Sequence, residues 1–117
     1  MSSSCTYAAR DVIGQPVGCL GGIEIGTIAE LVVTRDSGRI RYVIVEPKED
    51  ALGVQDVLLA IPWRAVGYMY MAPAWFLLPM PIEEVKRAPV FHADSWPDFS
   101  DTREMAEVHA FYGEPPS

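Results

Sequence analysis

Positive charge is scarce in this sequence. Its 117 residues hold 9 Lys and Arg against 16 Asp and Glu, for a net charge of −7. That balance disfavours phosphate backbones and anionic lipid, so nucleic acid is not an expected partner. Cysteine is scarce as well. Cys5 and Cys19 form no CxxC pair, and nothing in their context supports a disulfide between them. The opening Met1-Ser2-Ser3-Ser4 has no apolar core of a secretory leader. Free thiols and no leader make the cytoplasm the expected location.

Histidine is limited to His92 and His109, 17 positions apart, without the paired spacing a metal site needs. Asp94 near His92 reads as a local hydrogen-bonding pair in a linker. No metal and no cofactor is expected. Catalytic patterns are missing too. Cys19 lies between apolar residues, as buried structural cysteines do. Glu83 and Glu84 are adjacent and cannot share one helix face. Gly21-Gly22 precedes a strand, not a helix, so it does not cradle phosphate. The chain is expected not to be an enzyme. A small-ligand or redox enzyme, centred near Cys19 or His92, is the contrasting class.

A membrane span is also missing. Residues 66–82 carry no charge, but the run is 17 long and is broken by Pro73, Pro79 and Pro81. It reads as strand and loop, with Ala74 to Leu78 a closing strand and the whole run a contact surface.

What is present is turn chemistry and β-formers. Half the residues are apolar, and ten prolines with nine glycines mark many turns. The strongest local signal is a hairpin from Gly26 to Val45, with Arg35-Asp36-Ser37-Gly38 as its connection. In the first arm Ala29, Leu31 and Val33 share a face, opposite Ile28, Glu30, Val32 and Thr34. In the second, Val43 and Val45 share a face with Arg41, opposite Ile40, Tyr42 and Ile44. Both faces carry large apolar groups. One lines a core, and the other is covered either by later segments of the chain or by a second subunit.

Pro16 to Leu20 reads as a first strand turning at Gly21-Gly22, and Gly26 marks a bulge or bend. Val54 to Ile61 reads as a strand with Val57, Leu59 and Ile61 inward, ended by Pro62-Trp63. Pro81 to Ala88 is a short helix with proline in its first turn, stopped by Pro89. Residues 90–100 form an acidic linker with Phe91, Trp96 and Phe99 as anchors. A last helix starts at Asp101, with Glu104 three residues on in a capping-box pattern. It ends at Gly113 and carries a stripe of Met105, Val108 and Tyr112 with Phe111 beside it. His109 lies next to that stripe. Charge is uneven: residues 88–117 hold six acids (Asp94, Asp98, Asp101, Glu104, Glu107, Glu114) against Arg103.

Four segments taken in order resemble the PRC-barrel pattern: Val12-Ile13-Gly14-x-x-Val17; Ile25-Gly26-Thr27-Ile28-x-x-Leu31-Val32-Val33; Ser37-Gly38-Arg39-Ile40-x-Tyr42-Val43-Ile44-Val45; and Leu58-x-x-Ile61-Pro62-Trp63. This small barrel is shared by the cytoplasmic domain of the photosynthetic reaction centre H subunit and the C-terminal domain of the 16S ribosomal RNA processing factor. Ala88-Pro89-x-Phe91, Asp94-x-Trp96-Pro97-Asp98 and Tyr112-Gly113 are similar to stand-alone bacterial members. The resemblance implies a mainly β fold, an antiparallel barrel of about five to six strands, with helices near 82–88 and 101–112. It implies an interaction module with no catalytic motif of its own. The chain is expected to lack the membrane helix of the one relative and the additional N-terminal domain of the other.

The expected organisation is a flexible start over 1–8 and a barrel over 9–80. A helical acidic extension over 81–117 then packs on the barrel or on a partner subunit. The expected function is a self-associating protein-interaction module, most simply a homodimer. The alternative is an accessory factor docking to a membrane-bound electron-transfer complex or to a ribosomal protein. Candidate interaction residues are Arg35, Arg39, Arg41, Tyr42, Tyr68, Tyr70, Trp75, Phe76, Trp96, Met105, Val108 and Tyr112. Trp63 reads first as packing after its proline, and Trp75 and Trp96 as the better binding hot spots. The basic hairpin tip is either a plain solvated turn or a partner for the acidic segment Asp94–Asp101, in the same chain or a neighbour.

Overall fold

A computed structural model describes residues 8–49, 51–53, 55–68 and 76–114. A helical turn, α1 (Ala9–Val12), leads into β1 (Pro16–Leu20), β2 (Ile23–Val33), β3 (Ile40–Pro47) and β4 (Val57–Pro62). A 3-10 turn over Trp63–Ala65 is followed by β5 (Gly67–Tyr68), β6 (Phe76–Pro81), a short helix α2 (Ile82–Val85), β7 (Phe91–His92) and α3 (Thr102–Tyr112). The fold is mainly β, as the sequence indicates.

Tight turns fix the antiparallel part. Gly21 and Gly22 both have positive φ (94° and 77°), which lets two residues reverse the chain between β1 and β2. The tip after β2 closes through Gly38 at φ 73°, with Gly38 N–H on the Thr34 carbonyl and Thr34 N–H on the Arg39 carbonyl, each at 2.8 Å. Gly26 is required by approach. A Cβ there would strike the Glu46 carbonyl oxygen and lie 2.7 Å from Pro47 Cα. The β1–β2 register shift falls beside it, between Val17 and Gly18.

The sheet departs from the expected closed antiparallel barrel in two respects. Its order is β5-β6-β1-β2-β3-β4-β7, and β1 pairs with β6 in parallel. Among the described residues no ladder joins the two ends, so the sheet is open. Hairpin turns force neighbours antiparallel, whereas β6 reaches the free side of β1 only after the chain has left β4 at the far side, so it is free to run parallel. The β1–β6 register slips after Cys19, where Pro79 cannot donate to the ladder. The closing strand begins at Phe76; Ala74 and Trp75 lie outside the described residues.

Two apolar layers sit on the two faces of this sheet. The first joins Val17, Ile25, Ile28, Val43, Val45, Leu59, Ile61 and Leu78, with Val85 of α2. The second joins Tyr42, Ile44, Leu58 and Ala60 with Met105 and Val108 of α3. Every residue of β4 is therefore buried, which is why its sequence shows no alternation. The helix expected over 82–88 is shorter. After Val85 the bonds from Arg87 to Glu84 and from Ala88 to Val85 tighten it into turns ahead of Pro89.

Candidate functional site

The end of α3 and the tip of the β2–β3 hairpin meet in one place, and local sequence explains how. Asp101 Oδ1 accepts from Arg103 N (2.9 Å) and Glu104 N (3.4 Å), capping the start of the helix. The expected capping box is only half made. Asp101 N–H bonds the Asp98 carbonyl, so Glu104 Oε1 takes the Asp98 N–H instead, at 3.3 Å. At the other end Gly113 has φ 69°. Its N–H bonds the Ala110 carbonyl (3.3 Å) and Glu114 N–H bonds the His109 carbonyl (3.0 Å), the paired bonds of a Schellman ending. Met105 and Val108 are then driven onto β3 and β4, each side chain worth about 1.5–3 kcal/mol of burial.

His109 is the residue that sequence reasoning placed beside the stripe and that the fold places inside it. It is 7% exposed. Its Nδ1 lies 3.2 Å from the Glu114 carbonyl, which can only accept, so Nδ1 carries the proton. Nε2 is then the acceptor for the Tyr42 hydroxyl, at 2.6 Å. The rings meet edge-on at 5.6 Å, and Phe99 packs on the other side of Tyr42 at 5.7 Å. Burial pushes the Tyr42 phenol up, and the charge of Arg41, whose guanidinium lies 5.8 Å from the ring centre, opposes this in part. The signal was available: 105, 108, 109 and 112 follow the i, i+3, i+4, i+7 rule for one helix face.

Above this pair opens a groove of about 390 Å³. Arg39, Arg41 and Arg64 line it, with Thr34 and Ser37 beside them, Ile40, Pro62 and Trp63 as apolar wall, His109 from α3 and Glu114 just past its end. Arg35 is exposed in the turn and does not line it. Among the described residues none of Arg39, Arg41 and Arg64 forms an ion pair.

The acidic linker lies elsewhere. Asp98 and Asp101 start α3, whereas the groove is at its end; β7 joins β4 at Val57 and Leu58, whereas Pro62 reaches the groove. Among the described residues no ion pair joins the basic tip to this segment, although its Phe99 packs on Tyr42, the neighbour of Arg41. The linker's aromatic residues instead pack on one another. Trp96 is edge-on to Phe91 (5.3 Å) and Phe99 (6.1 Å), and its Nε1 donates to the Ala93 carbonyl at 2.7 Å.

The remaining candidates separate. Met105 and Val108 are buried against the chain's own sheet. Tyr112 is half buried, and its hydroxyl is buried with no partner among the described residues. Phe76 is buried and tilted against Trp63 at 6.1 Å, the packing reading for that tryptophan. Tyr68 lies on β5. Tyr70 and Trp75 fall outside the described residues. Cys19 is buried, and burial pushes its thiol up, away from the reactive thiolate. Among the described residues no helix is long and apolar enough to cross a membrane.

In comparison with known proteins, the PRC-barrel domain model matches residues 6–72. That match takes in the groove's three arginines and stops short of α3. No curated protein matches the chain.

Proposed function

The chain belongs to the PRC-barrel domain family, and from that membership we propose a non-enzymatic protein-interaction module that works in the cytoplasm and self-associates as a homodimer. The family domain supports the interaction role in general. One observation supports self-association in particular. With both sheet faces covered by the chain's own layers, large apolar side chains still stand out on the acidic lobe ahead of α3: Val90 is 44% exposed and Trp96 45%. Val90 lines a small groove of about 140 Å³ together with Pro89, Phe91, Pro97, Met105 and Val108 among others. A rigid, half-exposed tryptophan on an apolar ledge is the usual anchor of a protein contact. The buried free thiol of Cys19 suits a reducing compartment.

Light scattering across a concentration series tests the proposal. A dimer is expected, with Trp96→Ala shifting it toward monomer at unchanged fold. A wild-type chain that stays monomeric at the highest concentration overturns self-association.

A further inference from the structure

We propose that the arginine groove at the hairpin tip receives the acidic lobe around Asp94 and Trp96 of a second copy of this chain, each copy giving its lobe to the other's groove. The inference rests on the self-association reading above and names the two surfaces that meet.

Charge is the first argument. Three of the chain's nine bases line one groove without an ion pair among the described residues. Residues 90–107 hold five acids (Asp94, Asp98, Asp101, Glu104, Glu107) against Arg103. The two surfaces are complementary, yet among the described residues no ion pair joins them within one chain. Pairing between two copies supplies each with the opposite charge it lacks. A two-fold arrangement makes the contact twice, with groove on lobe and lobe on groove, and closes without leaving a free end.

Shape and polarity are the second argument. The groove is not purely polar: Ile40, Pro62 and Trp63 form its wall. The lobe matches this with exposed Trp96 and Val90 among its carboxylates. An indole entering beside guanidinium groups gains cation–π attraction as well as burial. A second acidic surface, where Glu46, Glu49 and Asp56 line a groove at the other end of β3, has no exposed large apolar side chain among its lining residues. It is the weaker fit and serves as the control.

The test uses exposed residues whose side chains have no partner among the described residues. Arg39→Glu with Arg64→Glu reverses the groove; Asp94→Lys with Glu107→Lys reverses the lobe. Each double variant then faces like charge in both contacts of its own homodimer. Mixed together, the two give a heterodimer in which one contact is wild type and the other is charge-swapped but complementary. Sedimentation at low and high salt reads the outcome, with circular dichroism to verify the fold. The expected result is a wild-type dimer that weakens with salt and an at least about tenfold loss of association for either variant alone. Mixing restores the dimer, and Glu46→Lys with Glu49→Lys changes association little. A dimer indifferent to the groove and lobe reversals, or one broken by the control instead, overturns this pairing and leaves self-association standing. A wild-type monomer at low salt overturns both.

Discussion

The two faces of the β3–β4 pair are built differently, and the difference separates what holds the domain together from what closes it. The first face carries Val43, Val45, Leu59 and Ile61 and is wholly apolar, locked against β1, β2 and β6 by strands on both sides. The second carries Tyr42, Ile44, Leu58 and Ala60 and is closed by one helix, with the buried Tyr42–His109 bond at its end. Apolar packing is non-directional, so the first face sets stability. A hydrogen bond has direction, so Tyr42 and His109 set where along the sheet α3 comes to rest.

Breaking the first face has the largest expected effect. Leu59→Ala is expected to cost about 2–5 kcal/mol and to lower the whole unfolding transition, measured by denaturant titration. Met105→Ala, on the second face, is expected to cost about 2–3 kcal/mol, with a different signature. Hydrogen exchange quickens across 102–112 before it does in β2 or β3. Equal acceleration in both would mean that the helix is no separate unit.

Smaller changes sharpen the comparison. Tyr42→Phe leaves Nε2 of His109 buried without a donor, at an expected cost of about 1–2 kcal/mol in the same titration. Tyr112→Phe is expected to be neutral or to stabilise by up to about 1 kcal/mol, because its hydroxyl is buried with no partner among the described residues. The two phenols also predict a pH response. Burial raises both, so the folded chain keeps their protons longer than the unfolded chain does. Stability is whole below the ordinary tyrosine value of about 10 and declines as pH rises from there through the raised values. Denaturation series from pH ~8 to ~11 are expected to show that decline, and Tyr112→Phe to flatten it.

Much of the fold was legible because turn residues and capping residues act locally. Gly21-Gly22, Gly38, Asp101 and Gly113 each need only their neighbours to do what they do. Leu59 and Ile61 could be placed on one face because successive strand residues point to opposite sides, and the PRC-barrel segments added the mainly β fold. The parallel β1–β6 pairing was not legible, since no turn joins those strands and nothing near Phe76 records which neighbour it will meet. The site was harder still. Arg39, Arg41 and Arg64 converge only because Pro62 pairs opposite Tyr42 across two strands. Helical spacing puts His109 with the buried stripe, but its donor Tyr42, 67 positions away, is not legible in the sequence.

The bond between Tyr42 and His109 also spans time. On a ribosome adding roughly 5–20 residues per second, His109 is made about 3–13 s after Tyr42. For that interval the hairpin can form while Tyr42, Ile44, Leu58 and Ala60 have no helix to cover them. A nascent chain paused before residue 102 presents an open apolar sheet face, the kind of surface that holdase chaperones bind and that other nascent sheets join.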